Sequence, residues 1–143
     1  MKILVIHGPN LNLLGSRETE IYGTQTLNNL CDDIIKNNPK HELTFFQSNH
    51  EGDIIDRLHL AMNDGIKGII INAGAFTHYS YAIRDAISSI KIPTVEVHLS
   101  NIHSREEFRK ISVLQDVCIS QISGLGIEGY YLAINILSEK END

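Results

Sequence analysis

The most constraining feature of this sequence is an uninterrupted apolar segment, Gly68–Asn72, whose three central residues are all isoleucine. A strand without alternating polar residues has no face suited to water, so both of its faces need cover. Strands of this kind are typical of parallel sheets that carry helices on both sides. Residues 73–75 form a tight turn directly after this segment, so we expect the polar carboxyl edge of the sheet to begin here at Asn72.

Other segments with the composition of short strands alternate with helical patterns. The predicted strands are residues 2–6, 42–47, 68–72, 93–99 and 117–122. Apolar residues recur at helical spacing between them. This spacing predicts a helix over residues 24–38 with Thr24 as N-cap, a second from about residue 53, a third after the turn at 73–75, and a closing helix over residues 127–139. The expected buried faces of the second and third helices are Ile54, Ile55, Leu58, Ala61 and Met62, and Ala82, Ile83, Ala86, Ile87 and Ile90.

Strands that alternate with helices imply right-handed crossover connections and a parallel sheet with helices on both faces. We therefore predict one domain over residues 1–143, with a doubly wound α/β fold built on a five-stranded, flavodoxin-like sheet. Ligands of such folds bind in the crevice at the carboxyl ends of the strands, where the strand order reverses. The loops that follow the strands are accordingly the expected location of functional side chains.

Charge and hydropathy exclude several classes of function. The net charge of −6 argues against binding to nucleic acid or to an anionic membrane, because both depend on clustered Lys and Arg. No apolar run approaches the roughly 20 residues that span a bilayer, and the apolar start is too short for a signal peptide. We expect a cytoplasmic protein. Cys31 in a helix and Cys118 in a strand have no paired spacing, which favours two buried thiols.

The strongest candidate pair lies on the fourth predicted strand. Period-2 alternation puts Glu96 and His98 on one face of that strand, at its carboxyl end. A neighbouring carboxylate can hold an imidazole in one tautomer and stabilise its protonated form, as general acid catalysis near neutral pH requires. The alternative is a solvated pair at the edge of a sheet. Ser104 and Glu107 have the spacing of a capping box, which predicts a short helix that carries Arg109 and packs Phe108 and Ile111 inward.

Further candidate residues follow the other predicted strands. Asn10 and Asn12 follow the first strand, Asn72 and His78 the third, and Ser100 the fourth. An asparagine at such a position is often only a turn former. Residues 16–23 are charged and show neither helical nor strand periodicity, so they form an expected exposed segment that could close over a ligand. Within it, the cation of Arg17 would stabilise the phenolate of Tyr22, making the pair a candidate base.

Other kinds of site have weaker support in the residues. His78, His98 and His103 could supply zinc ligands, but they lack the spacing of the familiar zinc motifs. Gly8, Gly15 and Gly74 form neither a dinucleotide fingerprint nor a P-loop. A flavodoxin-like module that binds phosphate or flavin through residues 10–15 stays open as an alternative. His7, His41, His50 and His59 have no partner that the sequence reveals, so surface or packing roles are expected for them.

Six separated motifs, in order along nearly the whole chain, resemble those of the type II 3-dehydroquinate dehydratases. They are residues 7–15, Arg17 and Glu18 with residues 21–23, residues 48–52, residues 72–85, residues 95–109, and residues 124–126. The resemblance implies an anti elimination of water from 3-dehydroquinate, which gives 3-dehydroshikimate through an enolate. It implies neither a cofactor nor a metal.

The resemblance also implies roles for individual residues. Tyr22 would take the axial proton from C2 of the substrate, with Arg17 holding it as phenolate. Asn10 would help an ordered water to stabilise the enolate. His98, oriented by Glu96, would protonate the departing C1 hydroxyl. The substrate would be held at its carboxylate by Asn72 and the backbone amides of Leu99 and Ser100, and at its ring hydroxyls by His78 and Arg109.

Assembly is implied by resemblance alone. Asp85 would reach the active site of a neighbouring subunit in a trimer, and four trimers would form a dodecamer. Two positions depart from the family pattern: Ala73 stands where the family usually has proline, and Tyr79 where a smaller hydroxyl residue is common. The loss of proline removes a conformational restriction on Asn72.

Overall fold

The computed structural model describes residues 1–16 and 19–143, without the side chain of Tyr22. The described residues contain one five-stranded sheet, in which every strand pairing is parallel. The strand order is β2-β1-β3-β4-β5, the order of flavodoxin-like folds. The predicted fold class is therefore confirmed. Among these residues no helix is long and apolar enough to cross a bilayer.

The five strands lie close to their predicted positions. They are β1 (Lys2–His7), β2 (Glu42–Gln47), β3 (Gly68–Asn72), β4 (Thr94–His98) and β5 (Ser120–Ser123). The largest error is in β5, predicted over residues 117–122, because Gln115–Val117 form a turn of 3-10 helix instead. Cys118 consequently precedes the strand rather than lying in it, and both cysteines are free and only partly buried.

In the described part of the chain, five α-helices connect or follow the strands. They are α1 (Thr19–Tyr22), α2 (Leu27–Lys36), α3 (Glu51–Ala61), α4 (Tyr81–Ile90) and α5 (Glu128–Glu141). The short helix α1 was not predicted. The predicted N-cap Thr24 is wrong, because the hydroxyl of Thr26 accepts the capping hydrogen bond from the N–H of Asn29 at 3.1 Å. Met62 and Ala82 are exposed rather than buried, since each lies at a helix end turned toward solvent.

The short helix predicted at Ser104 is not formed as expected. Two turns of 3-10 helix, Ile102–Ser104 and Glu107–Lys110, take its place. The Ser104 hydroxyl donates backward to the carbonyl of Asn101 at 3.1 Å, and the N-cap of the second turn is Glu106, whose side chain makes no capping hydrogen bond. Phe108 and Ile111 are exposed by 58% and 68%, and the predicted inward apolar face is therefore wrong.

Strand alternation divides the core into two layers. Ile3, Val5 and Ile70 pack with α2 and α5 on one face of the sheet, whereas Leu4 and Ile71 pack with α3 and α4 on the other. Because side chains alternate along a strand, His7 and Asn72 continue the first face, and Glu96 and His98 continue the second. The sheet thus delivers polar groups from both of its faces to one edge.

Candidate active site

A pocket that opens to solvent lies at the carboxyl ends of β1, β3 and β4. This is where the strand order reverses, so its position agrees with the general rule for doubly wound sheets. The residues that line it are Pro9, Asn10, Leu11, Asn72, Gly74, Ala75, His78, His98, Leu99, Ser100, Ile102, Arg105 and Arg109. The pocket therefore collects seven of the predicted site residues: Asn10, Asn72, His78, His98, Leu99, Ser100 and Arg109.

Glu96 and His98 form the buried centre of this site. Glu96 is completely buried and His98 is 5% exposed, which rules out a solvated strand-edge pair. Nε2 of His98 lies 2.5 Å from Oε2 of Glu96. Because Nε2 is engaged by the carboxylate, Nδ1 is the ring nitrogen left for a ligand in the pocket.

Two residues that the sequence analysis did not identify complete the surroundings of Glu96. The Ser112 hydroxyl donates to Oε1 at 2.9 Å, and the Gln121 amide donates to Oε2 at 3.1 Å. Gln121 stands in register with Glu96 on the neighbouring strand β5. A fully buried carboxylate needs such donors to offset its lost hydration. These two donors fix the Glu96 carboxylate, and the carboxylate in turn fixes the ring of His98.

The loop after β1 is held in an uncommon conformation. Asn10 has a φ of 69°, in the left-handed region that asparagine tolerates better than most residues. Its N–H donates to the side-chain oxygen of Asn49 at 3.0 Å. Gly8 passes so close to the turn after β3 that a Cβ there would lie 2.3 Å from the carbonyl oxygen of Ala73. Glycine is thus required at this crossing, and the crossing places Asn10 at the pocket.

Asn72 ends β3 and is almost completely buried beside the pocket. The N–H of Gly74 donates to its Oδ1 at 3.3 Å, and its Nδ2 donates to the hydroxyl of Tyr130 at 3.2 Å. Nδ2 carries two hydrogens, so one remains for another acceptor. The Asn72 amide is therefore equipped to donate one hydrogen bond to a ligand.

The carbonyl groups at the end of β4 are hydrogen-bonded to the glycine loop at residues 124–126. The carbonyls of His98 and Leu99 accept hydrogen bonds from the N–H groups of Gly124 and Gly126, at 3.3 and 3.1 Å. In a trans peptide the N–H points opposite the preceding carbonyl, and the described residues contain no cis peptide. The N–H groups of Leu99 and Ser100 consequently point away from the glycine loop.

His78 and Arg109 form another wall of the pocket. His78 is the last residue of a 3-10 helix, Gly74–His78, which follows β3. Its Nδ1 lies 2.7 Å from the carbonyl oxygen of Ile111. Partial burial lowers the pKa of His78, and the nearby His98 and Arg109 act in the same direction, whereas the hydrogen bond to the Ile111 carbonyl and the charge of Glu96 act against them. The ring is thus kept neutral at physiological pH, with Nε2 free to accept a hydrogen bond.

The remaining predicted site residues lie elsewhere. Asp85 is on α4, exposed, and does not line the pocket. Arg17 and the side chain of Tyr22 lie outside the described residues. Arg105, which the sequence analysis did not select, lines the pocket with Nη1 at 3.5 Å from the Ser100 hydroxyl. Its position close to Arg109 was the available signal, because two cations near one strand end favour an anionic ligand.

The arrangement suits acid catalysis on a small, polar, anionic molecule. One oriented imidazole faces a space surrounded by amide donors, a neutral histidine and two guanidinium groups. Such a ligand is recognised by directional hydrogen bonds rather than by apolar area. In the part of the chain that the structure describes, no cluster of three or more His, Cys, Asp or Glu side chains could hold a metal ion.

Comparison with known proteins identifies the family. The family model described as Dehydroquinase class II matches residues 1–138. The 3-dehydroquinate dehydratase of Caldicellulosiruptor saccharolyticus is 59% identical over 140 residues, which cover 96% of this chain and 97% of that protein. The 3-dehydroquinate dehydratase of Clostridium beijerinckii is 56% identical over 143 residues, covering 99% and 98%.

Solved structures give the same result. The crystal structure of type II dehydroquinase from Butyrivibrio crossotus matches with a TM-score of 0.94 at 52% identity, covering 96% of this chain and 97% of that one. The type II dehydroquinase from Propionibacterium acnes matches with a TM-score of 0.90 at 40% identity, covering 99% and 97%. These likenesses extend over nearly the whole chain, in both fold and sequence. The chain belongs to the type II dehydroquinase family, the 3-dehydroquinate dehydratases of the shikimate pathway.

Proposed function

We propose that the pocket at the carboxyl edge of the sheet binds 3-dehydroquinate and eliminates water from it in the anti sense, through an enolate, to give 3-dehydroshikimate. The observation that carries this assignment of residues is the buried pair of Glu96 and His98, because the carboxylate engages Nε2 while the His98 ring lines a pocket rich in hydrogen-bond donors. An elimination needs a base and an acid on opposite sides of the substrate. The pair supplies the acid.

The acid step uses the proton on Nδ1 of His98. The C1–O bond of the enolate breaks, the electron pair of the enolate forms the new double bond, and the departing hydroxyl leaves as water with that proton. Glu96 stabilises the imidazolium before the step because its carboxylate accepts from Nε2. Ser112 and Gln121 keep the carboxylate from rotating away. Positioned general acids of this kind contribute about 10²- to 10⁴-fold to a rate.

The base step is assigned to Tyr22 and Arg17. The phenolate of Tyr22 would remove the axial proton from C2, which leaves the enolate, and Arg17 would hold the phenolate in its charged form. Asn10 and an ordered water would stabilise the enolate oxygen. The roles of Tyr22 and Arg17 rest on the match to the family. The role of Asn10 is also supported by its left-handed backbone conformation, which holds it at the pocket.

The substrate carboxylate is assigned to the side of the pocket formed by β3 and β4. Asn72 has one uncommitted amide hydrogen, and the N–H groups of Leu99 and Ser100 point away from the glycine loop. Arg105 adds positive potential beside Ser100. His78 and Arg109 are assigned to the ring hydroxyls, which can both donate and accept. A neutral His78 fits that role because it accepts through Nε2.

We also propose that the active assembly is a trimer, four of which form a dodecamer in the cytoplasm. Phe108 and Ile111, which contact His78, are exposed by 58% and 68%, and Tyr79 and Tyr81, which follow His78 in the chain, are exposed by 58% and 66%. A cluster of large apolar side chains beside a pocket is typical of an interface between subunits. Asp85 on the same helix as Tyr81 would then enter the site of the neighbouring subunit.

The test is direct. Purified protein mixed with 3-dehydroquinate is expected to develop the ultraviolet absorbance of a conjugated enone. The rate should be unchanged by a chelator, which separates this reaction from a metal hydrolase. It should also survive borohydride, which separates it from a Schiff-base lysine mechanism. No enone from correctly folded protein would overturn the proposal, and thermal stabilisation by flavin mononucleotide instead would favour the binding module.

A further inference from the structure

A chain of buried hydrogen bonds links the pocket to helix α5. His7 and Asn72 stand in register at the carboxyl ends of the adjacent strands β1 and β3. Their side chains point to the same face of the sheet, and both reach the hydroxyl of Tyr130. Nε2 of His7 lies 2.8 Å from that oxygen, and Nδ2 of Asn72 lies 3.2 Å from it. Tyr130 is completely buried.

The direction of both bonds at Asn72 follows from the end of this chain at Gly74. A backbone N–H can only donate, so the atom of Asn72 that faces Gly74 is the oxygen, and the atom that faces Tyr130 is the NH2 group. The Tyr130 oxygen therefore accepts from Asn72. Its own hydrogen is then available for Nε2 of His7, which must be unprotonated to accept it.

The surroundings of His7 agree with this direction. The imidazole is 1% exposed, and burial lowers its pKa to about 4. His7 is thus neutral at physiological pH and presents a lone pair to Tyr130. Burial also raises the pKa of the Tyr130 phenol, so it keeps the hydrogen that it donates. Both groups are held in the protonation state that the chain of bonds requires.

We propose that Tyr130 and His7 are positioning residues, which fix the Asn72 amide so that its uncommitted Nδ2 hydrogen points at the carboxylate of the substrate. Rotation of the amide by half a turn would present an oxygen to an anion and repel it. The Tyr130 hydroxyl opposes this rotation because the hydrogen it holds is already donated to His7. The inference rests on the proposed placement of the carboxylate at Asn72, and it adds residues that do not touch the substrate.

Two neighbouring tyrosines of helix α5 provide a matched pair of variants for the test. Tyr130→Phe removes the hydroxyl that holds Asn72, whereas Tyr131→Phe removes a hydroxyl that accepts from Asn37 at 3.1 Å, far from the pocket. We expect Tyr130→Phe to raise KM for 3-dehydroquinate about tenfold, since a hydrogen bond to a charged group is weakened. The value of kcat should stay within about twofold, because binding to the carboxylate is the same in ground and transition states. Tyr131→Phe should change neither constant.

A double-mutant cycle shows whether Tyr130 acts through Asn72. In an Asn72→Ala background there is no amide to orient, so adding Tyr130→Phe should leave KM unchanged. Multiplicative effects of the two substitutions would overturn the proposal, since they would mean that Tyr130 acts independently. A folded Tyr130→Phe variant with the KM of the parent would also overturn it.

The His7 position provides a second, independent measurement if Tyr130→Phe does not fold. His7→Leu removes the acceptor for the Tyr130 hydrogen and should raise KM, whereas His7→Gln retains an acceptor oxygen and should restore it. Equal KM values for the two variants would overturn the proposal. If the parent enzyme makes the enone and the variants have the same KM as the parent, only this inference is refuted. If the parent enzyme makes no enone, the proposed function is refuted.

Discussion

Glu96 and His98 are joined by a hydrogen bond of 2.5 Å between Oε2 and Nε2, at a point where the carboxylate has no exposure to water. Ser112 and Gln121 donate to the same carboxylate. Residues two apart on a strand share a face, so the contact follows from the strand itself. The ring of His98 is thereby held before any substrate arrives.

Replacing the charge of Glu96 tests the importance of this pair. We expect Glu96→Gln to lower kcat about 100-fold with little change in KM, because the imidazolium loses its counter-charge within the general-acid step. Steady-state rates of enone formation measure both constants. Glu107→Gln is the matched control, since Glu107 is exposed and pairs only with Lys110 at 3.0 Å among the described residues. A Glu96→Gln variant with near-normal kcat would show that His98 needs no neighbouring carboxylate for the general-acid step.

Tyr22→Phe tests the assignment of the base. Without the phenolate oxygen, proton removal from C2 should slow by a factor of about 10³ or more, while the substrate still binds through the other side of the pocket. Turnover by absorbance and binding by calorimetry separate the two effects. Arg17→Ala should behave in the same way because it removes the cation that stabilises the phenolate. Substantial turnover by Tyr22→Phe would assign the base to another residue.

Mixing two inactive variants tests whether Asp85 acts across a subunit interface. A trimer of Tyr22→Phe and Asp85→Ala subunits contains some sites with an intact tyrosine and a neighbour's intact aspartate. Random mixing in a closed ring makes these roughly a quarter of all sites. We expect co-expressed subunits to regain a corresponding share of activity, with light scattering to confirm assembly. If activity does not return in assembled mixtures, Asp85 serves its own subunit or only the assembly.

The buried imidazole of His7 predicts a loss of stability in acid. Its pKa is about 4 in the folded chain against 6.5 when unfolded, so the unfolded state binds more protons between these values. The free energy of unfolding should therefore fall as pH drops from 6.5 to about 4, by about 3 kcal/mol in total. Chemical denaturation across this pH range measures the slope. His7→Gln should remove that part of the slope, and an unchanged slope would contradict the assignment.

Ala73→Pro tests the departure from the family pattern beside Asn72. Ala73 has a φ of −81°, close to the value that proline imposes, and the preceding residue is in extended strand conformation. We expect the free energy of unfolding to rise by about 0.5 to 1 kcal/mol, because the unfolded chain loses conformational freedom. Thermal denaturation measures this change. A lower melting temperature would mean that the proline ring does not fit beside Gly8.

Much of the fold was predictable from the sequence because most strands are short apolar runs with turn formers or charged residues at both ends. The bounds of β2 and β3 agree with the prediction to the residue, since turn formers or charged residues flank each run. The errors lie where tertiary contacts override local preference. The Ser104 hydroxyl donates to the Asn101 carbonyl instead of capping the next turn, and Phe108 stays exposed because it lies on a short 3-10 turn with no buried residues rather than on the predicted helix.

The sequence by itself determined that Glu96 and His98 share a face and that polar residues end the central strands. Only the tertiary structure decided which distant groups surround them. Gln121 meets Glu96 because β5 pairs with β4, and Tyr130 meets His7 and Asn72 because α5 packs on the face of the sheet over β3 and β4. Local patterns arise from backbone geometry within a few residues, whereas these contacts arise from the order in which the strands pair and the helices cover them.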